Sequence, residues 1–447
     1  MSQSKPTIVR YVQEYSLPLI AGVAVALCFA NCAPSLYQQL VFGSVPDLLS
    51  SASHGNDHAQ AASEHSMWCL HFLINDIFMV LFFGLAAKEI TESCLPGGAL
   101  NPLSKAINPL LATLGGVLGP VGIFLLLNLL FGNAEWTRGW GIPTATDIAL
   151  AWLGARWLFG AGHPAVSFLL LLAVADDAIG LGIIAIAYPD PLHPTEWLYA
   201  LWIAPGMGLA YLLRRCQIKA WWPYVLFAGS LCWFGLFSAH LHPALSLVFV
   251  VPFMPGPRRD LGLYIDEAAT TNHVEECTLF NFEHDLKLFV DFGLFFFAFA
   301  NAGVPFSGIT SLTWILLVAL VCGKMLGITL FSLISERMGC RLPSGMNWRH
   351  LVVASSVAGV GLTVALFVSG QAFTDSAVQG AAKMGALFSI FGMAAAFVLA
   401  KTLGIRAPSA TAPLPGTIQY ESWPPVVVGI EDAADGEWQD VEELVHS

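Results

Sequence analysis

Apolar stretches, mostly about 18 to 25 residues long and separated by polar joins, recur along the chain. At 1.5 Å per residue that length lets a helix cross roughly 30 Å of hydrocarbon. The pattern predicts about twelve such helices, at 16–33, 67–86, 109–131, 141–158, 165–188, 196–213, 222–239, 242–255, 287–304, 312–335, 350–370 and 379–401. One of them, AVSFLLLLAVADDAIGLGIIAIAY from Ala165 to Tyr188, carries Asp176 and Asp177 side by side and no other charge. Each carboxylate costs roughly 2.5 to 3.5 kcal/mol at the centre of a membrane helix, and the two repel each other. A chain that keeps both has a use for them, and cations and protons are the obvious users.

Composition narrows the class. With 56% hydrophobic and 11% charged residues and a mean hydropathy of +0.67, the chain is a polytopic membrane protein rather than a soluble globular one. The length of the apolar runs excludes a transmembrane β-barrel, whose strands need only about ten residues. The nine cysteines form no CxxC and predict neither a disulfide framework nor a zinc site. The first apolar run lacks a persuasive cleavage site after Asn31, so a retained helix is expected rather than a signal peptide.

Charge then sets orientation. Sixteen of the 19 Lys and Arg residues, from Lys5 and Arg10 to Lys401 and Arg406, fall on the side of the N-terminus, against Arg138 alone in an opposite loop. The positive-inside rule therefore places both termini in the cytoplasm, which requires an even number of crossings. The net charge of −12 is concentrated in 256–287, with seven acids, and 402–447, with eight. The organisation expected is a transmembrane domain over 1–403 and an acidic, disordered cytoplasmic tail over 404–447. The domain would have a long external loop at about 34–66 and an acidic cytoplasmic loop at about 256–286. The external loop has His54, His58 and His65 with Asp57 and Glu64, but their spacing fits no standard metal pattern, so a solvated loop touching a neighbouring subunit is expected. No cofactor and no nucleic-acid partner is expected.

Two spans make poor continuous helices. GIPTATDIALAWLG puts Pro143 and two threonines before Asp147, and VASSVAGVGLTVALFV puts Gly359 and Gly361 in mid-span. Local unwinding at membrane depth is tolerated only where the backbone faces protein or a wet cavity, and paired interruptions point to a transporter's binding site. Adjacent helical residues point about 100° apart, so Asp176 and Asp177 face different surroundings. Lys324, in ILLVALVCGKMLGITLF, is the one base deep inside an apolar run; Lys383 is shallower and expected to reach the interface. Asp147 can compensate helix N-termini facing each other across the break, or donate an oxygen to an ion. Three acids and one Lys suit a small hard cation that takes oxygen ligands, and the same acids also take protons.

At these residues the chain closely resembles the NhaA-type sodium/proton antiporters of bacteria. The matching pieces are NDIFMVLFFGLAAKE, PTATDIAL, VADDAIG, the FEH at Phe282 to His284, FAFANAGV, GKMLGI and AGVGLTVALF, and they cover most of residues 67–400. The resemblance implies an all-α fold with inverted repeats and two interrupted helices that cross. It implies that Asp176 and Asp177 bind Na+ or Li+ and protons, with Lys324 paired to Asp176. Thr146 and Asp147 would lie at the first break, and Gly359 to Gly361 at the second. It further implies electrogenic exchange, a homodimer, and activation at alkaline pH through a cytoplasmic cluster with Glu283 and His284, to which Lys88 and Glu89 are candidates. In place of the family's GLEVKRE the chain reads GLAAKEITE, so Ala86 replaces an acid while Glu89 and Glu92 stand nearby.

Two other readings compete. A sodium-coupled symporter of an organic solute on a similar fold would need a wide polar cavity. An intramembrane aspartyl protease could use Asp147 and Asp177, but the chain lacks the GxGD and YD patterns of that chemistry.

Overall fold

The computed structural model describes residues 16–43, 69–95, 103–160, 162–189, 194–256 and 277–405, with positions 12, 98 and 100. The external loop with His54, His58 and His65, residues 257–276 of the acidic loop, and the tail from 406 onwards lie outside the described residues.

Every element among the described residues is helical. The helices are α1 (Leu17–Cys32), α2 (Pro34–Phe42), α3 (Leu70–Ser93), α4 (Leu103–Phe131), α5 (Ile148–Phe159), α6 (Pro164–Ala187) and α7 (Ile203–Arg215). They continue with α8 (Tyr224–Ser238), α9 (Thr278–Asn301), α10 (Ser311–Arg337), α11 (Trp348–Val357), α12 (Leu362–Ala372), α13 (Ser376–Phe388) and α14 (Phe391–Thr402). Five continuous helical stretches among the described residues are long and apolar enough to cross a bilayer, and α11 with α12, bent by 49°, makes a sixth. Shorter apolar helical segments lie at Leu17–Cys32, Ile148–Phe159, Tyr224–Ser238 and Pro243–Phe253. Large apolar side chains such as Leu118, Leu126, Leu129 and Phe131 of α4 point outwards, as they must where the surrounding solvent is hydrocarbon.

Several bounds differ from the hydropathy pattern, each for a local reason. The segment at 242–255 is a run of 3₁₀ turns, Pro243–Phe249 and Val251–Phe253, rather than an α-helix. Pro243 and Pro252 supply no N–H, and a proline inside a helix removes a backbone bond. The span expected at 287–304 starts nine residues earlier, at Thr278. Leu279 and Phe282 are fully buried against Ala87, Leu247 and Val250, so tertiary packing extends the helix through a stretch that hydropathy alone reads as loop. The first interrupted span opens with 3₁₀ turns over Ala134–Thr144, and α2 occupies the start of the expected external loop.

The starts of the helices around the breaks are fixed by side chains. Asp147 caps α5, accepting the Leu150 N–H at 3.1 Å, and Asn347 caps α11, accepting from Arg349 and His350 at 3.0 and 3.1 Å. Pro164, at the first position of α6, has the φ a helix start needs and no N–H to leave unpaired. Most of the helix it opens is buried against its neighbours, and apart from the two aspartates it is apolar.

The contact that places the chemistry is α4 against α10. Gly115 and Gly119 face Gly323 and Gly327, a small-residue stripe on each helix four residues apart, which lets the backbones touch. A Cβ at Gly327 would lie 2.0 Å from the Gly115 carbonyl oxygen, and one at Gly119 would lie 2.5 Å from that of Gly323. Lys324 sits between the two α10 glycines, so this contact sets how far its side chain reaches. A turn of π-helix over Ala319–Gly323 directly precedes it and rotates the residues that follow. Gly327→Val should force the helices apart and destabilise the protein by about 1–3 kcal/mol or more. A lowered thermal midpoint in detergent checks this; an unchanged midpoint would mean that the two backbones are not in contact.

Candidate functional site

Asp176 and Asp177 lie midway along α6 and are both buried. Lys324, with no exposed surface, forms an ion pair with Asp176 through Oδ2. The ammonium also donates to Thr146 Oγ1 at 2.6 Å. That hydroxyl has one proton and two acceptors within reach, Asp176 Oδ2 at 2.8 Å and the Ala358 carbonyl at 3.0 Å. Thr146 therefore joins three elements: the first break, α6 and the second break.

The two breaks are held together by backbone as well. Residues 145–147 are extended between the 3₁₀ turns and α5, and the Asp147 N–H donates to the Val360 carbonyl at 2.8 Å. The carboxylate of Asp147 serves two helix starts. Its Oδ1 accepts from Leu150 of α5, and its Oδ2 accepts from the Thr363 N–H, in the first turn of α12, at 3.3 Å. Of the two roles open to it on sequence, compensation of facing helix N-termini is the one its hydrogen bonds perform. The second break is closed by Ser389, whose Oγ accepts from the Gly361 N–H at 3.2 Å and donates to the Ala386 carbonyl at 2.6 Å. Gly359 and Gly361 are needed because a Cβ would lie 3.0 Å from Val321 Cα and 2.6 Å from the Ala145 carbonyl oxygen, respectively.

Two carboxylate oxygens remain. Asp176 Oδ1 and Asp177 Oδ1 are both buried without a hydrogen-bond partner. Asp177 borders a cavity of about 10 Å³ with Phe83, Ala86, Leu181, Ile184 and Val364, close to the least space that admits a water molecule. Ala86, where the resemblance expects an acid, thus opens onto the same space as Asp177. An ionised carboxylate in such surroundings needs a proton or a cation. Among the described residues no three His, Cys, Asp or Glu side chains gather as a metal centre, so side-chain oxygens alone would give an ion few ligands. Nearby backbone and hydroxyl oxygens of the breaks, such as Thr146 Oγ1, are of the hard type that Na+ accepts.

A second charged group joins α3 and α9. Lys88 pairs with Glu283 and, at 2.7 Å, with Glu92, and Lys287 pairs with Glu283 at 3.1 Å. Glu89 lies within electrostatic reach of both Lys side chains and of Asp177. Of the four residues expected here, Lys88, Glu89 and Glu283 come together. His284 does not: it is exposed beside Asp285 at 3.3 Å, because consecutive positions on α9 point in different directions. Lys383 also departs from expectation, buried on α13 instead of reaching the interface, where α10 and α12 pack over its helix. Sequence reasoning missed Ser389, Lys287 and the buried Asn301 to Asn75 hydrogen bond of 3.0 Å. A lone Ser in LFSIFG carries no signal, and the i,i+4 spacing of Glu283 and Lys287 could have revealed the pair.

Comparison with known proteins places this geometry. The family described as Na+/H+ antiporter 1 matches residues 7–403. A protein named Na(+)/H(+) antiporter NhaA from Geotalea uraniireducens is 52% identical over 398 residues, covering 89% of this chain and 97% of its own. One of the same name from Desulfitobacterium hafniense is 54% identical over 407 residues, covering 91% and 98%, and one from a Jannaschia species is 41% identical over 412 residues, covering 87% and 96%. With interrupted helices meeting at buried carboxylates and this degree of identity along nearly its whole transmembrane part, the chain belongs to the NhaA family of sodium/proton antiporters.

Proposed function

We propose that this protein exchanges cytoplasmic Na+ or Li+ for external H+ at Asp176 and Asp177. It would act as a homodimer of multi-pass chains in the bacterial inner membrane, both termini in the cytoplasm, and serve Na+ and pH homeostasis. Exchange between sodium and protons is the activity of its family. The observation that carries it is the pair of buried carboxylate oxygens without a partner, at the meeting point of two unwound segments. A cation and a proton compete for the same oxygens, so loading one releases the other.

Asp177 is the carboxylate proposed to hold the ion, because it borders the small cavity and has no ion pair of its own. Asp176 is proposed to act through Lys324: when a cation or proton satisfies one carboxylate, the ammonium redistributes between its partners. Two carboxyl groups that take protons against one Na+ make the cycle electrogenic. Inverted repeats crossing at 145–147 and 358–361 would let one bundle rock against the other about that site. The cavity beside Asp177, about 10 Å³, has room for a bare ion or one water but none for an organic solute, which weighs against a symporter.

Alkaline activation is proposed to run through Lys88, Glu89, Glu92, Glu283 and Lys287. These charges lie within reach of Asp177 through Glu89, so a change in their protonation alters the field at the ion site.

In everted vesicles with a pH-sensitive dye, adding Na+ should dequench the dye with the native protein and fail to do so with Asp177→Asn at equal expression and equal thermal midpoint. Normal exchange by that variant would remove Asp177 from the site. Glu283→Gln leaves Lys88 and Lys287 without their shared acid and should move the pH of half-activation by on the order of one unit, with little loss of maximal rate. An unchanged pH profile would take this cluster out of pH control.

A further inference from the structure

Away from the carboxylates, a cavity of about 190 Å³ opens where the ends of α5, α6, α11 and α14 meet. Phe159, His163, Asn347, Arg349 and His350 line it, with Leu403 to Ile405. Its volume is well above the space a single water needs. None of its lining residues is an acid.

The two imidazoles are fixed in orientation and tautomer by the helix starts they serve. His163 Nδ1 accepts the Ala165 N–H at 3.1 Å, closing the first turn of α6. His350 Nδ1 accepts the Asn347 N–H at 3.4 Å, completing a reciprocal capping box on α11. A ring nitrogen that accepts a hydrogen bond carries no proton, so in each neutral ring the proton sits on Nε2. Burial and, after it, the neighbouring His350 hold His163 below the usual imidazole range, which keeps that ring neutral near pH 7. The rings stand 4.6 Å apart at 70°, and Phe159 packs on both, stacked on His163 and edge-on to His350.

The polar side chains of the cavity are therefore donors. Two Nε2–H groups are available, the Asn347 oxygen is already occupied by the α11 start so that its amide nitrogen is the free end, and the Arg349 guanidinium adds charge. Arg349 uses one Nη on the Leu403 carbonyl at 3.4 Å, leaving the rest of its fork. Fixed donors around a guanidinium, with no acid, match a tetrahedral oxyanion rather than a cation.

We propose that this cavity binds a phosphate group, borne by an anionic phospholipid or free in solution. Trp348, half exposed beside Arg349, gives the rim an aromatic ring of the kind that settles at headgroup level. An occupant would bridge the start of α6, the helix of Asp176 and Asp177, to the start of α11, the first half of the second interrupted span. It would thus tie together the ends of two elements that meet at the ion site.

The test uses purified full-length protein in detergent, titrated in one arm with inorganic phosphate and in the other with phosphatidylglycerol added to the micelles against phosphatidylcholine. The thermal midpoint is read in both arms. His350→Glu keeps an acceptor for the α11 capping box while placing a negative charge in the cavity, and Arg349→Gln removes the guanidinium. Each should leave the midpoint without anion close to native and weaken the apparent affinity at least about tenfold, the loss expected from one charge-assisted hydrogen bond. Arg215→Gln, on α7, should change nothing. A response to phosphatidylglycerol alone identifies a lipid headgroup as the source, and a response to both identifies the phosphate group itself. No response in either arm, one that survives both cavity variants, or one equally lost in Arg215→Gln overturns the proposal.

Discussion

Backbone groups left open at membrane depth must find partners within the protein, because hydrocarbon supplies none. Two interrupted spans create that demand twice, and the chain meets it by bringing the breaks together. Asp147 donates its N–H to Val360 and gives one carboxylate oxygen to each of two helix starts, while Ser389 takes the Gly361 N–H. The unwound segments are thus each other's partners, and Asp147, Asp176 and Lys324 are arranged around their contact. Losing either break would leave the other with orphaned groups, each costing on the order of several kcal/mol in hydrocarbon. The pair is therefore best understood as one structural element with two strands of chain.

Close backbone packing supplies the second condition. Lys324 reaches Asp176 and Thr146 only because α10 lies directly on α4, and that approach depends on glycines at 115, 119, 323 and 327. A buried ammonium is unfavourable unless its partners are fixed before it arrives. Here one partner sits on α6 and one at the first break, so the ion pair is held by three separate pieces of the fold. That arrangement suits a transporter: a shift of any one piece alters the charge balance at the other two.

The architecture was legible in the sequence wherever one strong physical signal dominated. Span length exposed the five long apolar helices and the bent sixth span among the described residues, and charge at membrane depth pointed to Asp176, Asp177 and Lys324, all of which are buried. Proline or glycine in mid-span exposed both interruptions. What escaped was decided by tertiary partners. The 278–286 stretch is polar enough to read as loop, yet Leu279 and Phe282 bury themselves against α3 and its neighbours and make it helix. Ser389 closes the second break from a sequence that carries no mark of it, and the π-turn before Lys324 has no compositional signature. The resemblance brings His284 with Glu283 in the FEH piece, but adjacency in sequence is divergence on a helix. The tautomers of His163 and His350 follow from helix starts that only the folded chain brings together.

The adjacent aspartates take on different characters from these surroundings. Asp176 has one oxygen tied to Lys324 and Thr146, so its charge is largely answered within the protein; Asp177 has no ion pair of its own and borders a small cavity. An uncompensated carboxylate attracts whatever positive species can reach it, and of the two available, a proton needs only one oxygen whereas Na+ needs several. On the proposed assignment, oxygens of the two breaks would make up that difference only while the breaks stay in contact with α6, a contact made here by the Thr146 bond to Asp176. Any movement that separates them weakens the claim of the cation and leaves that of the proton intact. On that assignment, selection between the two species would follow from geometry, and the contact of the breaks that satisfies the backbone would also be what lets the protein release its ion.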